Sequence, residues 1–293
     1  MRKQSKRLSI MRSFTWRNNW GIFFIIPSLL GVAIFHIIPF ISVVQHSFMV
    51  PYGKELVGLK NYSAVMQNDA FRKAAVNTGK FLIFCIPILL LFSLGLAFFV
   101  RGAKRVSFLR SSALLPLTVP VATLALMWRL LFDKNGVLGN VLSHMGKFQI
   151  DFFHTSAAFG VLVVTYVWRN FGYDMVLWEA ALGSIREQMY EAASIDGANR
   201  RQKFIYITLP NLMPFVVVIA ILSVLNAFKV FREAYLIAGD YPHDSIYMLQ
   251  HIFNNWFTNL EIGKMCAGAV ILTGVIGAAA LLLQKMWKEE EWI

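Results

Sequence analysis

Tyr166, Arg169, Asn170 and Tyr173 fall at offsets 0, 3, 4 and 7, and Ser223, Asn226, Lys229 and Glu233 cluster in the same way further along the chain. On an α-helix each set occupies one face. Both sets interrupt long apolar stretches, where a charge near the centre of a bilayer costs about 2.5–3.5 kcal/mol on an insertion scale. Side chains retained at such depth face a cavity, a partner helix or the membrane surface. Tyr can stack on a ligand ring and Asn can hydrogen-bond to polar groups on it. Tyr166, Asn170, Tyr173 and Asn226, with Lys229, are therefore the candidate lining of a substrate pathway. The competing reading is pairing between helices or snorkelling to the interface. Lys229 and Glu233 have i,i+4 spacing for a local ion pair, and Arg169 could answer Asp174 or a lipid headgroup. No nucleophile–base constellation and no metal-ligand spacing of His and Cys occurs, so no catalytic residue, metal site or enzymatic activity is expected.

The elements that must position these residues are membrane helices. Of 293 residues, 57% are hydrophobic and 15% charged, against about 25% charged in a soluble domain. Six segments are apolar and long enough to cross a bilayer of ~30 Å hydrocarbon thickness: roughly Gly21–Val44, Phe81–Val100, Ser112–Phe132, Ala157–Leu177, Leu212–Phe231 and Gly263–Met286. The expected fold is an all-α integral membrane protein, a six-span helical bundle over residues 21–287. It has short tails at 1–20 and 288–293. Pro116 and Pro120 should kink the third span. Cys85 and Cys266 lie in apolar runs and read as packing residues. The connection from Gln45 to Lys80 is the longest.

The net charge of +12 would point to nucleic acid in a soluble chain, but membrane proteins concentrate Lys and Arg on their cytoplasmic side. Sixteen basic residues fall in the tails and in the second-to-third and fourth-to-fifth connections, against seven in the remaining connections. The excess predicts cytoplasmic termini and no nucleic-acid partner. The apolar run from Gly21 exceeds a signal-peptide core of about 7–15 residues, so it reads as a retained span.

Residues 183–210 then form a cytoplasmic loop of unusual composition. Ile185 to Asp196 should be a short helix, ended at Asp196-Gly197 by a left-handed glycine. A second helix should begin near Ala198, with Pro210 marking the start of the fifth span. Ala192, Ala193 and Ser194 leave little side-chain bulk, which permits close docking into a partner's groove.

This stretch resembles the cytoplasmic signature of permease subunits in bacterial binding-protein-dependent ABC importers: Glu-Ala-Ala, three residues, Gly, nine residues, then Ile-x-Leu-Pro. Glu191, Ala192, Ala193, Gly197, Ile207, Leu209 and Pro210 meet every fixed position. "VGLKNYSAVMQNDAF", "ALMWRLLFDKNGVLGN" and "LGSIREQMYEAASIDGA" are similar to the carbohydrate branch of that family, on the side of the larger maltose-type subunit and the glycerol-phosphate permeases. One departure is "AGDYPH" at Ala238–His243, where members often carry Thr-x-Gly-Gly-Pro.

The resemblance implies a coupling helix, with Glu191, Ala192, Ala193, Asp196, Gly197, Ala198 and Pro210 as the positions that meet a separate cytoplasmic ATPase. ATP and Mg would be used by that partner, with no cofactor bound by this chain. None of the Gly-Lys pairs has a Gly five positions earlier, so no Walker A loop is present. The implied assembly is this chain, a second homologous permease subunit, two ATPase subunits and an external substrate-binding protein in the bacterial cell membrane. The implied cargo is a sugar, with a neutral one favoured because Glu233 is spaced to neutralise Lys229. The alternatives are an anionic sugar or glycerol phosphate, or a stand-alone secondary transporter. The last would need paired interrupted half-spans, and none stands out.

Overall fold

The computed structural model describes residues 19–50, 55–102, 106–144, 146 and 151–290. The basic tail up to residue 18, Lys54, Lys104, Arg105, Lys147 and residues 291–293 lie outside them. Apart from an isolated bridge between Met49 and Leu56, the described residues form helices, turns and loops. Four helical runs are long and apolar enough to cross a membrane: Phe24–Ser47, Asp69–Arg101, Arg200–Ala238 and Ile262–Leu281. A fifth span results if Val106–Thr118 and Val121–His144, bent by 92°, are taken together. The expected fourth span is a helix of 28 residues, Ala157–Ser184, about 42 Å long at 1.5 Å per residue. Its Arg169, Asn170, Asp174 and Glu179 dilute its apolarity, and it does not count among the apolar spans.

In chain order the helices are α1 (Asn19–Val32), α2 (Ile38–Ser47), α3 (Lys60–Gln67), α4 (Asp69–Arg101), α5 (Val106–Thr118), α6 (Val121–Phe132) and α7 (Val137–His144). They continue as α8 (Ala157–Ser184), α9 (Glu187–Ile195), α10 (Arg200–Lys203), α11 (Leu209–Ala227), α12 (Phe231–Ala238), α13 (Leu249–Thr258) and α14 (Ile262–Glu290). Two compact units can be distinguished, one of the segments before Met66 with Leu260–Thr273, the other of Met66–Asn259 with the residues from Gly274 onward.

In the first unit, Ser47 and Tyr62 share a hydrogen bond of 2.7 Å, and Asn61 donates to the carbonyls of Ser47 and Met49 at 3.0 and 2.9 Å. Gly263 completes this packing: a Cβ there would stand 2.7 Å from Asn61 Nδ2.

In the second unit, three apolar clusters run along α4 and α8. Phe81, Cys85 and Leu89 of α4 meet Leu162 and Tyr166 of α8 and Val230 and Ala234 beyond α11. Ala97 and Val100 meet Met175, Trp178 and Leu182 of α8 and Leu212 and Ile219 of α11. Leu124 and Trp128 of α6 meet Val161 of α8 and Ile237 of α12. Cys85 and Cys266 are free and buried.

Several boundaries differ from the sequence reading. The expected span Phe81–Val100 starts twelve residues earlier, at Asp69. Asn68 caps it by accepting from the Phe71 N–H at 2.9 Å, and Phe71, Ala74, Asn77, Thr78 and Phe81 form its buried stripe. Most of the supposed long connection is thus helix. Asn77 donates to the carbonyls of Asp244 and Tyr247, Thr78 accepts from the Leu249 N–H, and Lys73 pairs with Asp244 at 2.7 Å. These bonds hold the start of α13 on the first turns of α4. There His251 is fully buried, its Nδ1 accepting from the Met248 N–H at 3.1 Å. Its Nε2 has no hydrogen-bond partner, and its ring meets Phe231 edge-on at 4.9 Å.

The third expected span is broken rather than merely kinked. Pro120 drives Val119 away from helical geometry, so α5 stops at Thr118 and α6 restarts with Pro120 as its N-cap. Pro39 and Pro210, by contrast, interrupt nothing. Each follows a π-turn, Ala33–Ile37 or Phe204–Thr208, in which the N–H of Ile38 or Leu209 reaches back five residues. The wider turn accommodates the residue that lacks a donor and would clash with the preceding carbonyl.

Candidate functional site

The break between α5 and α6 opens beside the polar faces of α8 and α11–α12. The resulting cavity, about 380 Å³, lies within the usual range of small-molecule sites, ~300–1,000 Å³. Leu117 and Val121 flank the break and form one wall. Tyr166, Arg169, Asn170 and Tyr173 come from α8, and Asn226, Lys229, Val230, Arg232 and Glu233 from the end of α11 through α12. All five residues singled out from the sequence as pathway lining therefore meet at one cavity.

Their surroundings differ. Tyr166 is 3% exposed and donates its hydroxyl to the Ser223 carbonyl at 2.8 Å. Its role in the wall is to tie α8 to α11. Ser223 in turn donates to Asp174 Oδ2 at 2.7 Å, so a buried carboxylate and a buried hydroxyl satisfy each other between the same helices. Asn170 donates to the Tyr166 carbonyl within its own helix. The Tyr173 side chain is half-buried and has no hydrogen bond to a described residue. Its ring is part of the cavity lining.

The charges pair across helices rather than along them. Glu233 is bound by Arg169 of α8, not by Lys229. Lys229 instead donates to Asn226 Oδ1 at 2.8 Å. Arg169 does not answer Asp174, which Ser223 satisfies. The second carboxylate oxygen of Glu233 is buried without a hydrogen-bond partner. Arg232, which the sequence pattern did not single out, also lines the cavity. Among the described residues neither Lys229 nor Arg232 has a carboxylate in ion-pair contact.

Gly172 fixes the wall from behind. A Cβ there would lie 1.9 Å from the Ala113 carbonyl oxygen, so α5 and α8 touch backbone to backbone. Close approach of this kind is what small residues permit in membrane helices. Arg129 Nε donates to the Ile237 carbonyl at 3.0 Å, tying α6 to α12 on the far side of the break.

The loop 183–210 is a helix, a tight turn and a second helix. α9 carries Glu191, Ala192 and Ala193 and buries none of its residues. Ile195 is 88% exposed. The chain reverses in a Schellman motif: Gly197 at φ 76° donates to the Ser194 carbonyl, and the Ala198 N–H reaches the Ala193 carbonyl. Asp196 is the exposed C-cap. Asn199 and Gln202 then exchange hydrogen bonds in a capping box that starts α10. The second helix is not separate from the fifth span, as the Pro210 signal implied; α10 runs through the π-turn and Pro210 into α11. Tyr190 meets Thr208 at 2.8 Å, and Lys203 donates to Ser194 at 2.6 Å. Through these bonds α9 is fastened to the base of that long helix.

Residues 81–287 match the family described as binding-protein-dependent transport system inner membrane component. The chain is 30% identical to a trehalose/maltose transport system permease protein of Thermococcus litoralis over 264 residues, covering 87% of this chain and 89% of that protein. It is 28% identical to an arabinooligosaccharides transport system permease protein of Halalkalibacterium halodurans, covering 90% of this chain and 87% of the relative. Its fold is also similar, at 20% identity and a TM-score of 0.75, to a chain of a bacterial ABC transporter involved in the import of the acidic polysaccharide alginate; the match covers 93% of this chain and 96% of that one.

Proposed function

Because the chain belongs to the family of inner membrane components of binding-protein-dependent transport systems, a multi-pass membrane permease of a sugar ABC importer, we propose a specific role for it within such an assembly. It is the transmembrane subunit that carries a mono- or oligosaccharide, delivered by an external binding protein, into the cytoplasm. It crosses the membrane six times with both termini inside. A second, homologous permease subunit supplies the other half of the path, and two separate subunits hydrolyse ATP.

The observation that carries this reading is the cavity at the helix break, where Asn170, Tyr173, Asn226 and Lys229 converge inside otherwise apolar helices. Such side chains match a hydroxyl-rich ring, and their placement between broken and bent helices suits a site that opens alternately to the two sides. The relatives' sugar cargoes support the substrate class.

The α9–α10 turn is the lever. An exposed helix with small residues at its centre docks in a groove of the ATPase, and Gly197 sets the angle at which it leaves. Its bonds to the base of α11 pass the movement to the helix that bears Asn226 and Lys229. Glu191→Lys and Gly197→Asp should leave membrane expression intact and uncouple ATP hydrolysis from uptake. Normal substrate-stimulated hydrolysis and uptake in both variants would remove the lever assignment.

A further inference from the structure

We propose that the sugar this cavity accepts is anionic, bearing a carboxylate, phosphate or sulfonate group that Lys229 and Arg232 hold. The inference rests on the importer reading above and specifies its cargo.

Three cations and one carboxylate line the cavity. Glu233 is consumed by Arg169 of the neighbouring helix. That leaves Lys229, held only by the neutral amide oxygen of Asn226, and Arg232, with no carboxylate in contact among the described residues. With three cations against one carboxylate, the wall carries an excess of two positive charges.

Their location makes this informative. In the proposed topology they lie on the outer half of the fifth span and its continuation, away from the cytoplasmic side where Lys and Arg gather for topological reasons. Ionisable groups at membrane depth face a cavity and pair there with a partner or a ligand. A third source of positive potential adds to them: Val121, the first residue of α6, is part of the same wall. A twelve-residue helix that starts at a break within a span presents the positive end of its dipole there. Half-helices whose amino ends meet an anionic substrate group are a recurrent device of transport proteins. Cations for the acidic group and Tyr173 for the ring face together describe a sugar acid or sugar phosphate better than a neutral sugar.

The test uses the complete importer, this chain with its partner subunits, in phosphatidylcholine nanodiscs. Digalacturonate and glycerol 3-phosphate are the anionic probes and cellobiose is the neutral one, with binding read by calorimetry. At least one anionic probe should bind tenfold or more tightly than cellobiose. Lys229→Gln and Arg232→Gln should each weaken it roughly tenfold or more, the loss expected for one charge-assisted hydrogen bond. Tighter or equal binding of cellobiose, failure of both anions to bind, or binding indifferent to the two substitutions overturns the proposal. So does a charge effect seen only when phosphatidylglycerol replaces phosphatidylcholine, which would assign the cations to a lipid headgroup. Stimulation of ATP hydrolysis by the binding protein in the same nanodiscs tests the importer role separately.

Discussion

Replacing Gly172 by Ala adds one methyl group at the tightest helix contact beside the cavity. The new Cβ would lie 1.9 Å from the Ala113 carbonyl oxygen and 2.5 Å from its carbonyl carbon. Cβ contacts below 3.0 Å are essentially never observed, so α5 and α8 must separate by about 1 Å. Neither partner atom can yield alone, because both belong to helical backbone. Overpacking of this kind costs typically about 1–3 kcal/mol, and it exceeds the gain of about 1 kcal/mol that Ala brings to a helix in place of Gly. The movement also carries Leu117 away from Tyr173, so uptake should fall along with stability. Gly160, on the same helix, has nothing within 4 Å of its hypothetical Cβ, and Gly160→Ala is the matched control. Thermal unfolding of the purified complex should show a lower midpoint for Gly172→Ala and an unchanged or higher one for Gly160→Ala. Equal midpoints and equal uptake in the two variants would refute the backbone contact and the cavity geometry built on it.

Ser223→Ala strips the buried Asp174 of its hydroxyl partner and should destabilise the complex by ~1–3 kcal/mol, measured by denaturation; Asp174→Asn in the same background should recover part of the loss. His251 is buried and neutral, its pKa lowered by desolvation from 6.5 to about 4. The unfolded chain therefore takes up the proton first, and stability should fall as pH drops from about 6.5 towards 4; His251→Phe should flatten a thermal-stability profile across that window. Gly197→Ala forces a side chain into the left-handed region, a penalty of about 1–2 kcal/mol, whereas Gly197→Asn is tolerated at such caps. ATPase coupling should accordingly fail more in the alanine variant.

What the sequence makes legible here is local. The offsets 0, 3, 4 and 7 place four residues on one face of α8 because the helical period alone decides it. Gly197 is readable as a left-handed cap because few other residues adopt that conformation without strain. The break at Thr118–Pro120 is foreshadowed by two prolines, although its angle depends on what α5 and α6 pack against. What the sequence hides is set between helices. Lys229 and Glu233 have the spacing of a local pair, yet Arg169 on the neighbouring helix reaches Glu233, and no spacing rule reports that distance. Arg232 looks like a surface charge until the 3₁₀ turn at Phe228–Val230 brings it to the cavity. Gly172 looks like any helical glycine until α5 is laid against it. The early start of α4 is hidden for a different reason: Arg72, Lys73 and Lys80 suggest a loop, while the buried stripe beneath them belongs to an amphipathic helix.

Whether this chain is one permease of an ATP-driven import complex is decided by native mass spectrometry of the complex extracted from its own membrane. The spectrum should show one copy of this 33.3 kDa chain with one homologous permease chain and two copies of an ATPase subunit, the whole hydrolysing ATP when the loaded binding protein is added. A chain that extracts as a monomer or self-pair, without an ATPase and still moving substrate in sealed vesicles, would contradict it.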